Sequence, residues 1–296
     1  MIRAGVVGVG SLGQHHARVF ASLPGVRLVG VSDVDAARGA MIAERHETRF
    51  IKDFREMAGE VDCVSVATPT TDHLSTCRPF LEAGRHVLVE KPIAATLEEG
   101  REMIRLAEAS GAVLQVGHLE RFNPAFLAAR PLIDRPRFFE IHRLGVFVPR
   151  SLDVNVVLDL MIHDLDMVLH LTGSKIREVQ AAGIPILTGK IDIANVRLRF
   201  ENGALANLTA SRVSSEKTRK LRFFQPDAYF SIDLGRQTAD AYTLQPADNP
   251  LGKEIVHRQL TIEPGEPLKN ELAAFVRSIQ ERGNHGCSGA EGLAAL

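Results

Sequence analysis

A hydrophobic strand running straight into three spaced glycines constrains this chain more than any other feature. Ile2 to Val7 is mostly apolar, and Gly8, Gly10 and Gly13 follow in G-x-G-x-x-G spacing, with Ser11 and Leu12 between them. In that spacing the first glycine permits a tight turn and the second lets the backbone approach a pyrophosphate. The third lets the next helix lie close to the sheet. A helix expected over about 12–22 would offer its N-terminal N–H groups and dipole to an anion. A second strand, Val26 to Val31, leads to Asp33, 20 residues after Gly13. A carboxylate there accepts hydrogen bonds from adenosine ribose hydroxyls. It also repels a 2′-phosphate, so NAD is expected over NADP, with Arg38 on the next helix the one residue that speaks for NADP. The alternative is a glycine-rich turn beside a surface aspartate, which leaves the order of the parts unexplained.

The rest of the first half repeats the strand–helix rhythm. Helices are expected over Ala36–Arg45, Thr71–Glu82 and Leu97–Ser110, the last with Thr96 as its N-cap and Glu98 and Glu99 in its first turn. Strands are expected near Thr48–Ile51, at Cys63–Ala67, at His86–Glu90 and at Val113–Val116. Such alternation predicts a doubly wound parallel sheet with ligands at its C-terminal strand ends. The second half reads as one helix over about Val156–Leu171, strands in series from Arg177 to Leu234 and a last helix from Pro267 to Arg282. Strands in succession joined by turns, as at Glu201–Asn202–Gly203, predict an antiparallel sheet. The expected architecture is therefore α/β, with an N-terminal Rossmann domain over 1–118. A C-terminal α+β domain over 119–296, with a large and mostly antiparallel sheet, binds substrate and makes the oligomer. Gly289–Leu296 starts like another helix and stops abruptly, so the natural chain is expected to extend past it.

At 296 residues, 24% charged and with net charge −1, the chain offers no electrostatic case for nucleic acid or a membrane surface. Its cysteines, Cys63, Cys77 and Cys287, are odd in number and have no metal-ligand spacing, which favours a reducing cytoplasm and no metal. No charged leader precedes the first strand, and no apolar run is long enough to span a bilayer.

Three groups of residues carry chemistry. Glu90–Lys91–Pro92 ends a strand where such sheets bind ligands, so Lys91 is placed to reach cofactor and substrate. Elsewhere it would be an ordinary loop lysine. The loop Ala67–Thr68–Pro69–Thr70–Thr71–Asp72–His73 faces the same crevice. Thr68 and Pro69 flank a ribose there, and His73 either touches the cofactor or belongs to a loop that caps the next helix. Asp159 and His163 lie four apart on one expected helix, with Asp166 three further on, so a carboxylate and an imidazole share a face. That pair suits proton transfer, although surface or subunit-contact pairs look the same.

Taken together, Gly8–Gly13, Ala67–Thr68–Pro69 with His73, Glu90–Lys91–Pro92, Gly117–His118 and Asp159-x-x-x-His163–Asp164 resemble the Gfo/Idh/MocA oxidoreductases. The matches run in family order and cover most of 1–170. The resemblance implies NAD(P)-dependent oxidation or reduction of sugars and related polyols. Lys91 would polarise the reacting alcohol, His163 would act as general base, and Asp159 would bind substrate or tune the histidine. The stretches Gly117–Pro124 and Val157–Asp164 look most like bacterial members that oxidise the C3 hydroxyl of UDP-N-acetylglucosamine on the way to an amide-linked lipid A. For the diphosphate the candidates are Arg121 beside Asn123, and the basic set Arg212, Lys217, Arg219, Lys220 and Arg222, which reads equally as the exposed face of a strand. The alternatives are a dehydrogenase of inositol or a simple aldose, a glycoside hydrolase that borrows NAD, and an NAD-binding regulator without catalysis. An open antiparallel sheet predicts a homo-oligomer, either dimer or tetramer.

Overall fold

Six short strands, most of them aliphatic runs, pair side by side to form the first sheet. They are β1 (Ile2–Val7), β2 (Val26–Ser32), β3 (Arg49–Phe50), β4 (Cys63–Val66), β5 (His86–Glu90) and β6 (Leu114–Gly117). Their spatial order is β3-β2-β1-β4-β5-β6, and every pairing is parallel. The order reverses direction at β1, which opens a crevice at the strand ends next to the glycines. The computed structural model describes residues 1–148 and 154–296.

Helices α1 (Gly13–Ser22), α2 (Ala36–Arg45), α3 (His73–Glu82) and α4 (Leu97–Ser110) cover the sheet. Strand side chains alternate between its faces. Val87 and Val89 pack in one cluster with Phe80, Leu81 and Met103, while Leu88 packs in the other with Ala17, Phe20 and Ile42. Each fully buried phenylalanine contributes about 1.5–3 kcal/mol. The start of α4 has the expected cap. Thr96 Oγ1 accepts from Glu99 N–H at 3.2 Å, and Glu99 returns the bond to Thr96 N–H at 3.3 Å.

The chain divides into two units, one of residues 1–119 with 267–296 and one of 120–266. The domain expected over 119–296 is therefore corrected at its C-terminal end. Helix α7 (Pro267–Glu281) buries Leu272, Phe275 and Val276 in the cluster that holds Ala17 and Phe20 of α1. Helix α8 (Gly289–Ala295) follows it, and Leu293 and Cys287 pack with the cluster behind β6. Apolar stripes that need the first sheet to be buried belong to the first unit, whatever their place in the sequence.

The second unit is built on β7 (Phe138–Leu144), β8 (Ile176–Ile184), β9 (Ile193–Phe200), β10 (Leu205–Ser211), β11 (Thr218–Gln225), β12 (Ala228–Asp233), β13 (Thr238–Pro246) and β14 (Lys253–Gln259). They form one sheet in the order β14-β13-β12-β11-β7-β10-β9-β8. Only β7 with β10 is parallel among these pairings. Its inner face packs Phe139, Ile141, Leu198, Phe200, Leu208 and Phe223 against α5 (Pro124–Ala129) and α6 (Ile162–Thr172). The other face carries an aromatic ladder of Phe138, Phe224, Tyr229, Tyr242 and His257, with successive ring centroids 4.5–6.0 Å apart.

Candidate active site

In the first unit, a groove of about 600 Å³ opens at the C-terminal strand ends. Eight of the expected cofactor residues line it: Gly8, Gly10, Ser11, Leu12, Asp33, Arg38, Thr68 and Pro69. Gly8 has φ +81°, a conformation that strains residues with a side chain, and a Cβ there would lie 2.7 Å from the Ala67 carbonyl oxygen. A Cβ on Gly10 would meet nothing within 4 Å among the described residues. The backbone is bare there on its open side, as close approach of a pyrophosphate requires. Thr68 Oγ1 is buried and has no hydrogen-bond partner among the described residues. A buried hydroxyl in that state is costly unless a ligand completes it. These features fit a dinucleotide.

Asp33 is the electrostatic centre of the groove. Its carboxylate accepts from Val9 N–H and Asp35 N–H, each at 2.8 Å, and from Arg38 at 2.7 and 3.2 Å. Burial opposes its ionisation, but the Arg38 hydrogen bond and the two N–H groups outweigh it and hold the carboxyl below its ordinary value. Arg38 is thus turned toward Asp33 rather than presented alone to a 2′-phosphate. Replacing Asp33 with serine is expected to weaken NADH binding about tenfold or more and to narrow or reverse the preference over NADPH, since charged hydrogen bonds are lost and Arg38 is released. Parallel titrations with the two reduced cofactors measure both effects.

Four expected cofactor residues do not line the groove. Gly13 lies packed against the Gly8 carbonyl. His73 is buried, with Nδ1 at 3.0 Å from Pro92 O and Nε2 at 3.1 Å from Thr68 O, and burial lowers its pKa. Its ring lies between the Thr68 loop and the loop after β5, with both nitrogens facing backbone carbonyl oxygens. Glu90 is buried beside His16. Lys91 follows it, at the end of β5. Asp72, from the loop expected to face the crevice, also lines the groove, and Lys52, Phe54 and Ser75 line it without having been singled out. Lys52 follows β3, so the strand-end rule that selects Asp33 would also have found it.

In the second unit, the expected single helix over Val156–Leu171 is two pieces. A π-helical turn covers Val157–Met161, and α6 begins only at Ile162. The side chain of Asn155 opens the turn, accepting from Val157 and Leu158 N–H at 3.1 and 3.0 Å. Such wide turns concentrate at functional sites. This one carries Asp159, and His163 stands in the first turn of α6. Their angular offset therefore differs from that of a regular α-helix.

Buried ion pairs anchor α6. Arg143 of β7 donates to Asp164 at 2.8–3.1 Å and to Glu120 at 3.0 Å. Burial works against its charge, and the two carboxylates overcome that and raise its pKa. Arg121 donates to both oxygens of Asp166 at 2.8 and 2.6 Å, with side chains 6% and 1% exposed. The diphosphate expectation for Arg121 is corrected accordingly, because its guanidinium braces α6 from inside. Asn123 is corrected for the same reason. Its Nδ2 donates to Glu120 and to Leu234 O, and its Oδ1 accepts from Ala125 N–H to cap α5. Arg212 is buried against Asp192 at 2.8 Å. Replacing Arg143 with methionine leaves Asp164 and Glu120 buried without their cation. We expect a loss of about 3–5 kcal/mol, read by urea unfolding.

Residues 2–118 match the oxidoreductase family with an NAD-binding Rossmann fold, Gfo/Idh/MocA. Residues 132–229 match the C-terminal domain of the same family. A UDP-N-acetylglucosamine 3-dehydrogenase from Acidithiobacillus ferrooxidans is 36% identical over 296 residues, covering 100% of this chain and 94% of that one. The chain belongs to the Gfo/Idh/MocA family. It is an NAD-binding oxidoreductase of the kind that acts on a carbinol group. A solved structure of the Acidithiobacillus dehydrogenase superposes with a TM-score of 0.93 at 36% identity, covering 99% of this chain and 94% of that one. An inositol 2-dehydrogenase from Rhizobium meliloti is 28% identical over 323 residues, with 100% and 94% covered. No helix among the described residues is long and apolar enough to cross a membrane.

Proposed function

We propose that the protein oxidises the C3 hydroxyl of UDP-N-acetylglucosamine to the 3-keto sugar nucleotide, with NAD as acceptor. The observation that carries this reading is the 36% identity to a dehydrogenase of that name along the whole chain, together with a groove suited to a dinucleotide. A 3-keto product is a substrate for amination, and supply of amino sugar for lipid A is the proposed use. The cytoplasm is the proposed compartment, in keeping with three cysteines held as buried thiols.

The proposed division of labour assigns each step to a residue type suited to it. A bound NAD would supply the acceptor for the hydride of the carbinol carbon. Lys91 stabilises the negative charge that grows on the reacting oxygen. His163 takes the hydroxyl proton as general base, and Asp159 binds substrate or orients the histidine. Asp33 receives the adenosine ribose, and Gly10, Ser11 and Leu12 receive the pyrophosphate. For the substrate diphosphate we propose Arg219 in place of Arg121. It lies opposite Arg143 in register, its side chain is 52% exposed, and its Nη1 is 3.8 Å from Glu120. Lys220 and Arg222 alternate to the other face of β11, beside the aromatic ladder. That ladder supports a homo-oligomer, dimer or tetramer, with a second copy covering the outer face of the sheet.

Absorbance of NADH tests the assignment, with NAD and UDP-N-acetylglucosamine, free N-acetylglucosamine or inositol as the offered alcohol. A carbonyl trap draws the equilibrium forward. Signal with the nucleotide sugar alone is expected. Signal with inositol alone would transfer the assignment to the polyol dehydrogenases.

A further inference from the structure

Beside the Lys91 backbone lies a sealed polar array that does not line the groove. Glu90 is 7% exposed, His16 1% and Ser65 0%. The His16 ring, on α1, sits between the other two, with Nδ1 2.7 Å from Ser65 Oγ and Nε2 3.0 Å from Glu90 Oε1. The other carboxylate oxygen, Oε2, accepts from Lys91 N–H at 3.3 Å. Across the sheet, the carboxylate fills the space that a side chain on Gly117 would need, since a Cβ there would lie 3.1 Å from both oxygens. Helix α1 and strands β4 and β6 thus enclose one carboxylate and leave it a single way to point.

The order serine, histidine, carboxylate resembles a nucleophilic triad, but a fully buried serine admits no substrate. The array instead fixes a charge. Burial pushes Glu90 upward in pKa, and the His16 hydrogen bond and the charges of His16 and Lys91 outweigh it, so the carboxyl is held below its ordinary value. His73, on α3, also feels this carboxylate.

We propose that His16 is a positioning residue for Lys91: it holds the Glu90 carboxylate on the Lys91 backbone N–H, and so fixes both the backbone from which the lysine projects and the buried anion nearest to it in the chain. The inference rests on the reading of Lys91 as the group that stabilises the reacting oxygen. Its test needs no substrate, so a wrong sugar assignment and a wrong role for His16 fail separately. The full-length protein is reductively methylated with ¹³C-formaldehyde, and the Lys91 signal is assigned by its loss in Lys91→Arg and followed against pH. In His16→Phe and in Glu90→Gln the midpoint is expected to fall by about one pH unit. The double variant should fall no further than either single one, and His16→Gln, which retains a donor, should stay near wild type. If His16→Phe does not fold, His16→Asn, too short to reach Glu90, replaces it. With an active substrate in hand, the same variants should lose kcat about tenfold at unchanged NADH affinity. An unmoved Lys91 midpoint in folded His16 variants, or additive shifts in the double variant, would overturn the proposal.

Discussion

Alanine at Lys91 is expected to lower turnover about 10²–10³-fold, and alanine at His163 about 10²–10⁴-fold, while NADH binds to both variants as it does to wild type. Lys91 lies just past the C-terminus of β5 and does not line the groove proposed for the dinucleotide. Its loss should therefore remove charge stabilisation at the reacting oxygen and leave the groove intact. His163 opens α6, which Arg143 and Arg121 hold from inside through Asp164 and Asp166. With the helix so anchored, truncating the imidazole should remove a proton acceptor without unfolding the turn around it. Stopped-flow measurement of NADH formation, set beside NADH binding by fluorescence, separates the two quantities. A variant that loses NADH affinity and turnover in equal measure would place its residue in cofactor binding instead.

The second large effect separates two glycines of the same motif. A Cβ on Gly13 would lie 1.8 Å from the Gly8 carbonyl oxygen and 2.8 Å from the carbon that bears it. Neither is the far end of a flexible side chain, so the turn itself must shift. Gly13→Ala is expected to destabilise the first unit by about 1–3 kcal/mol or more and to abolish NADH binding. At Gly10 a Cβ meets nothing within 4 Å among the described residues. Gly10→Ala should therefore fold like wild type and still bind NADH at least about tenfold more weakly, because the methyl occupies the approach of the pyrophosphate. Thermal unfolding and NADH titration of the pair distinguish a glycine that serves the fold from one that serves the ligand. Normal NADH binding by Gly10→Ala would mean that the pyrophosphate does not pass over this turn.

The first unit is legible in the sequence because most of its strands are short aliphatic runs and two of its helices carry caps, Asp35 on α2 and Thr96 on α4. The ranges of α2, β5 and α4 are those expected. The second unit hides its most central element. Strand β7 alternates inward and outward along its length, yet one inward position is Arg143, and a charge in the core direction conceals the pattern until Asp164 and Glu120 are seen beside it. Strands β13 and β14 are polar enough to read as loop. The same blindness affects the site. Arg121 and Asn123 follow a crevice strand and look like ligand groups, but sequence spacing cannot reveal that Asp166, Glu120 and the Leu234 carbonyl already engage them. Residues whose work depends on backbone turns alone, such as Gly8, Gly10 and Asp33, are found from spacing. Residues whose work depends on a distant partner are not.

In the proposed reaction, hydride leaves C3 of a UDP-linked sugar. UDP-N-acetylglucosamine carrying deuterium at C3 tests it most directly, with NAD present and the reduced cofactor analysed by mass spectrometry. One deuterium in the reduced nicotinamide is expected, with a slower rate than with unlabelled substrate. Reduced cofactor without deuterium, or none formed while an unrelated polyol is oxidised, would contradict it.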